Sequence, residues 1–236
     1  MNEKKICVSI PLLNEKLDDI EKQISYIQKE NENILFEFRF DFLKDFSKID
    51  QILQKISKYK KQSIYTLRPL YEGGKFSKTD SERFTLITKI AKNSPMLLDL
   101  EYNALSKVSQ LADFVDDNNI RVLVSWHNFE ETPPNNILID LIDSMRVFSN
   151  HIKIVTTART IEDSINILQL YRLIDTNINL VAFSMGELGI LSRVLCNVIG
   201  DSPFTYATIE KAVAPGQLTI NQMRSIYSLF HKRYFL

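Results

Sequence analysis

The sequence predicts an α/β protein, a single-domain (β/α)8 TIM barrel spanning residues 1–236. A short β-rich apolar run, a polar turn and a helical pattern of about ten to fifteen residues recur along the chain. About eight such units fit into 236 residues, an ordinary length for this barrel. No glycine-rich phosphate loop follows the first run, which argues against an open doubly wound sheet. No shift of composition or low-complexity linker marks a second domain.

The first strand is expected at 6–12 (ICVSIPL), covered by the amphipathic run 15–30. The second, at 34–41 (ILFEFRFD), is followed by a helix at 47–60. The third, at 63–69 (SIYTLRP), leads through the loop LYEGGKF to a helix at 82–92. Strands four and five are expected at 96–102 (MLLDLEY) and 121–128 (RVLVSWHN), with helices at 104–117 and 135–148. Strand six at 151–158 (HIKIVTTA) precedes a helix at 160–174, and strand seven at 178–185 (INLVAFSM) one at 187–199. The last unit pairs 202–209 (SPFTYATI) with 219–233.

Composition excludes several function classes. Lys and Arg number 29 and Asp and Glu number 29, interleaved, so no long-range field would steer nucleic acid. The amino terminus returns to charge too soon for a secretory signal, and no apolar run reaches the length of a membrane span, so a cytoplasmic enzyme is expected. Cys7 and Cys196 lie in apolar contexts and read as buried free thiols. His127, His151 and His231 show no ligand-like grouping, so no metal is expected.

Barrel sites form at the carboxyl ends of the strands. There, Lys153 sits in an apolar strand where ordinary patterning would not choose an ammonium group. Burial disfavours the charged form of an amine, leaving free amine that can attack a carbonyl. In ILFEFRFD the charges Glu37, Arg39 and Asp41 alternate with Phe36, Phe38, Phe40 and Phe42. Period two sends the charges into the barrel and the rings out against the helices. Strand three ends at Arg68, with Glu72 beside Gly73 and Gly74; strand five ends at His127, with Ser125 on the same face. Strands five and six are neighbours, so His127 and Lys153 would meet at one reacting centre, with Glu72 orienting the imidazole. Arg39 and Arg68 would further favour the free amine by like charge.

These residues resemble the type I 3-dehydroquinate dehydratase family of the shikimate pathway. The resemblance is carried by EFRFD, TLRP with EGG, DLEY, SWHNFEETP, KIV, SMGELGILSRV and APGQL, in order along nearly the whole chain. It implies a lyase without metal or cofactor that converts 3-dehydroquinate to 3-dehydroshikimate by syn elimination. Lys153 would form the Schiff base, His127 would act as general acid and base, and Glu72 would hold His127. Glu37, Arg39 and Arg68 would contact ring hydroxyls, Arg193 the substrate carboxylate, and Phe183 and Met185 would form apolar walls. EKAVAPGQLT would be a lid whose Gln217 closes onto the ligand.

Two positions depart from the family pattern. Val213 stands where a serine is common, implying one lid hydroxyl contact fewer, and about one extra residue in GDSPFTYA leaves the pairing of Tyr206 with a family aromatic open. Some family members are fused to shikimate dehydrogenase, and many are homodimers. The apolar helices LGILSRVLCNVI and SIYSLF would supply a dimer surface, and a monomeric mass by light scattering would end that expectation. The alternative reading is another imine-forming barrel lyase such as a class I aldolase. It would call for a phosphate site after strands seven and eight, where no glycine-rich anion nest is found.

Overall fold

The structure, a computed structural model, describes residues 5–13, 17–28, 33–210, 212 and 214–232. The strands are β1 (Ile6–Pro11), β2 (Ile34–Arg39), β3 (Ser63–Thr66), β4 (Leu97–Glu101), β5 (Val122–His127), β6 (His151–Thr157), β7 (Asn179–Met185) and β8 (Thr205–Thr208). The helices are α1 (Leu17–Gln28), α2 (Ile49–Ile56), α3 (Asp80–Ala91), α4 (Tyr102–Lys107), α5 (Ser109–Asp117), α6 (Asn135–Met145), α7 (Ile161–Leu173), α8 (Ile190–Ile199) and α9 (Ile220–Lys232).

Neighbouring strands are parallel, in the order β7-β6-β5-β4-β3-β2-β1-β8. The sheet curls into a nearly closed (β/α)8 barrel, as expected. At the seam Phe183 of β7 and Tyr206 of β8 bring their ring centroids to 6.1 Å.

The period of two sorts each strand into two layers. Phe36, Phe38, Ile152, Ile154, Leu180 and Ala182 are buried between sheet and helices. Leu35, Val155, Val181 and Phe183 turn the other way and form a second cluster inside the barrel with Cys7, Ile64, Leu97 and Leu123. Each fully buried Leu, Ile or Phe side chain contributes roughly 1.5–3 kcal/mol, so the outer layer is what holds the helices on the sheet. Helices α8 and α9 bury Val194, Cys196, Ile220 and Met223 and leave Leu191, Ile199 and Leu229 exposed. Among the described residues no helix is long and apolar enough to cross a membrane.

The structure trims several expected elements for local reasons. β2 stops at Arg39 because Phe40–Phe42 turn into a 3-10 helix, which takes Phe42 off the outward row and places its ring 5.2 Å from the Arg39 guanidinium carbon. β3 ends before Pro69 and β8 begins after Pro203, since proline donates no ladder hydrogen bond. The helix expected at 104–117 is two helices, broken at Val108, which is extended at φ −115° and ψ 90°. α2 is shorter than the run 47–60 and is flanked by 3-10 turns at Phe46–Lys48 and Ser57–Gln62. α3 starts earlier than expected because Thr79 and Glu82 cap it reciprocally, Thr79 N donating to Glu82 Oε2 at 3.1 Å and Glu82 N to Thr79 Oγ1 at 3.3 Å.

Candidate active site

Alternation along β6 faces Ile152 and Ile154 to the helices and Lys153 to the barrel interior, where it is 6% exposed. Its Nζ donates to Asp99 Oδ2 at 2.9 Å, lies 4.0 Å from Glu37 Oε1, and sits 4.7 Å from the centroid of the Tyr206 ring. Arg39 and Arg68 are the charges expected beside this amine; within ion-pair reach of it the structure puts two carboxylates. Asp99, the first residue of DLEY, carried no role of its own in the sequence reading. Its signal was the same alternation that exposed Glu37 and Arg39, since Asp99 and Glu101 alternate with Leu98 and Leu100.

Arg68, expected to meet a ring hydroxyl, is buried and engaged within the protein. Its Nη2 donates to Asp99 Oδ1 at 2.6 Å, and its Nη1 donates to Glu101 Oε1 and Ser125 Oγ, both at 2.8 Å. Glu101 is paired in turn with Arg83 of α3. Burial alone would raise the Asp99 carboxyl, but Arg68 and then Lys153 outweigh it and hold the group well below the usual carboxylate range. Arg68 still borders the pocket, as the anchor of this ion-pair chain.

Glu37 and Arg39 do not pair with each other. Glu37 accepts from Ser9 Oγ at 2.6 Å and Thr66 Oγ1 at 3.0 Å. Arg39 donates from Nε and Nη2 to Asp41 at 2.9 and 2.8 Å, and Asp41 is fixed by the Lys75 backbone N–H at 3.0 Å. Asp41 is therefore the clamp of Arg39, a role its position on the same face did not reveal.

The carboxyl end of β5 presents His127, whose side chain is 10% exposed. Its Nδ1 lies 3.3 Å from Glu72 Oε2, while Glu72 Oε1 accepts from Asn103 of α4 at 2.9 Å. The break at Val108 leaves α4 as a short turn that delivers Asn103 to this carboxylate. Phe129 stacks on the imidazole, centroids 5.9 Å apart and planes inclined by 10°. That stacking requires glycine at 73, where a Cβ would come within 2.6 Å of the Phe129 ring and where φ is +75°. Burial, followed by the like charges of Arg68 and Lys153, pushes the His127 imidazolium well below its ordinary range, and burial pushes the Glu72 carboxyl up.

Arg193 enters from α8 and is 1% exposed, its guanidinium carbon 4.2 Å from the Phe183 ring centroid. Its Nε and Nη2 have no hydrogen-bond partner among the described residues. Burial pushes this guanidinium down to about 10. An uncompensated buried cation is costly and marks a site for an anion. Phe183, Met185 and Tyr206 line the same pocket.

The segment after β8 lies over the site. Gly186 N donates to Pro215 O at 3.3 Å, and a Cβ on Gly216, itself at φ +71°, would collide with the Gly186 carbonyl. Gln217 Nε2 donates to Ala207 O at 3.1 Å and to Ser9 Oγ at 3.5 Å. Val213 lies outside the described residues. Thus Lys153, His127, Glu72, Glu37, Arg39, Arg68, Arg193, Phe183, Met185 and Gln217 border one pocket at the carboxyl end of the barrel.

The model of the type I 3-dehydroquinase family matches residues 6–234. The chain belongs to the type I 3-dehydroquinase family. A 3-dehydroquinate dehydratase from Pyrococcus abyssi is 35% identical over 213 residues, covering 90% of this chain and 94% of that one. The bifunctional 3-dehydroquinate dehydratase/shikimate dehydrogenase of Arabidopsis thaliana is 29% identical over 216 residues, covering 89% of this chain but 35% of its own. Among solved structures, a 3-dehydroquinate dehydratase from Geobacillus kaustophilus superposes with a TM-score of 0.83 at 22% identity, covering 98% of this chain and 92% of that one, a likeness of fold. Within this 3-dehydroquinase barrel, Asp99, Asp41, Ser9, Asn103 and Phe129 also support the site, although none of them carried a role in the sequence reading. Asp99, Ser9 and Asn103 act on a pocket residue through contacts between elements far apart in the chain, whereas Asp41 and Phe129 each act on a residue two positions away.

Proposed function

We propose that the chain dehydrates 3-dehydroquinate to 3-dehydroshikimate through a Schiff base on Lys153, with His127 as general acid and base, acting as one catalytic domain over residues 1–236. The observation that carries this reading is the convergence of three groups on one pocket: a buried strand amine, an imidazole kept neutral, and a buried guanidinium with unpaired donors.

The amine condenses with the C3 ketone and expels water, leaving an iminium. That cation draws electrons from the neighbouring carbon, so a weak base suffices to take its C2 proton. His127, neutral near neutral pH, takes it and gives an enamine. The imidazolium then returns a proton to the departing C1 hydroxyl, so both transfers occur on one face and the elimination is syn. Glu72 keeps the ring oriented and stabilises the imidazolium while it exists.

Arg193 meets the substrate carboxylate with its free donors. Glu37 and Arg39 supply polar contacts to ring hydroxyls, Phe183 and Met185 form the walls, and Gln217 closes the lid, which keeps water from the imine.

The test is intact mass after borohydride treatment in the presence of 3-dehydroquinate. The wild-type chain gains one ligand-sized adduct, and Lys153→Ala gains none and loses dehydration. An adduct of equal yield on Lys153→Ala, or none on the wild type, would overturn the assignment.

A further inference from the structure

We propose that Asp99 is a positioning residue for this reaction, the fixed counter-ion of the Lys153 nitrogen in both its ammonium and its iminium forms. The proposal rests on the Schiff-base reading above and adds a residue to it.

The geometry assigns one oxygen of Asp99 to each task. Oδ1 accepts from Arg68 Nη2 and from Ser125 Oγ, each at 2.6 Å, which fixes the carboxylate plane. Oδ2 accepts from Lys153 Nζ at 2.9 Å. The register supports the same placement, because Ser125 lies directly opposite both Glu101 on β4 and Lys153 on β6. Arg68 is held in turn by Glu101, and Glu101 by Arg83, so the carboxylate is braced through a chain of alternating charge reaching α3. Asp99 is 0% exposed, and Arg68 with Lys153 keeps it ionised.

The charge balance of the reaction gives this arrangement its use. The ammonium and the ketone combine to give the iminium and one water; the C=N bond forms, the C=O bond breaks, and the nitrogen carries one positive charge at both ends. A rigid carboxylate beside Nζ therefore matches the start and the end of imine formation without reorganising. In the next step the C–H electron pair flows to the nitrogen, which becomes neutral, while His127 takes the proton and becomes the cation. The positive charge thus passes from a station backed by Asp99 to one backed by Glu72, and it returns when the product iminium is formed by loss of the hydroxyl.

The experiment measures steady-state turnover of 3-dehydroquinate and the borohydride-trapped fraction for the full chain and its variants. Asp99→Asn keeps the shape and removes the charge. Glu101→Gln removes a charge from the same chain without touching Nζ. With Asp99→Asn, kcat is expected to fall by about 10²-fold or more, with KM within about threefold, as for loss of a preorganised electrostatic partner. The trapped fraction at saturating substrate falls with it, whereas Glu101→Gln, which bears on Asp99 only through Arg68, loses clearly less. Ser125→Ala, which deletes one hydrogen bond to Asp99 and leaves its charge, gives a milder test should Asp99→Asn not fold; kcat falls about fivefold at unchanged KM.

Undiminished kcat and trapping in Asp99→Asn, or in Ser125→Ala if that alone folds, overturns the proposal. So does an equal loss in Glu101→Gln, which would mark general damage to the ion-pair chain. An adduct on the wild type and an equal one on Asp99→Asn sinks this role alone; no adduct on the wild type sinks the Schiff-base reading and this role together.

Discussion

Converting His127 to alanine is expected to lower kcat by about 10² to 10⁴, the usual contribution of a positioned acid–base group, while the covalent adduct on Lys153 still accumulates. Imine formation uses the amine and the ketone, whereas proton removal from carbon needs a base, so the variant stalls between the two. Borohydride trapping at saturating substrate separates them: a trapped fraction at or above that of the wild type, with turnover lost, is the expected pair of results. An alanine variant within tenfold of wild-type kcat would assign the proton transfer elsewhere.

The pH profile follows from the same residue. An imidazole pushed well below its ordinary 6.5 by burial and by Arg68 and Lys153 stays neutral at neutral pH and gains its proton only at lower pH. The neutral base is the active form, so the acid limb of kcat/KM is expected to lie below pH 6.5, with the profile level down to that point. A limb centred above pH 6.5 would contradict the burial seen here.

Arg193→Met is expected to divide stability from activity. The guanidinium is 1% exposed, and its Nε and Nη2 lack partners among the described residues, so its desolvation is compensated only in part, by the Phe183 ring at 4.2 Å. Replacing such a charge by an apolar chain of similar length is expected to stabilise the ligand-free protein by about 1–3 kcal/mol, or roughly 2–12 °C in Tm for a chain of this size. The same change removes the partner of the substrate carboxylate, so kcat/KM should fall by about 10² to 10³. Thermal melting with and without substrate reads both effects. Substrate should raise the Tm of the wild type and leave that of Arg193→Met almost unmoved. A variant that is both less stable and fully active would show that Arg193 is a structural residue.

Much of the site was legible because strand alternation is a local property. Lys153 between Ile152 and Ile154, and Glu37 between Phe36 and Phe38, could be assigned to the interior from neighbours in sequence alone, and the structure places both there. The partners of Arg68 were hidden for the opposite reason: Asp99, Glu101 and Ser125 lie 31, 33 and 57 positions away, and no local pattern ties them to it. Glu72 could be named as the partner of His127, but not Asn103, which a break in the helical pattern brings to it.

Local sequence was enough to set the repeating strand–helix order, which face of each strand points inward, and the residue types that meet at the carboxyl ends of the strands. These follow from periods of 2 and 3.6 residues, set by backbone geometry that each segment carries alone. Which charges neutralise one another, and which stay free, emerged with the folded barrel. Asp41 clamps Arg39, Asp99 faces Lys153, and Arg193 keeps unpaired donors. Arg39 meets Asp41 because the chain turns into a 3-10 helix at Phe40, and Asp99 meets Lys153 because barrel curvature brings side chains from two separate strands within hydrogen-bond reach, where a buried charge is strongly attracted.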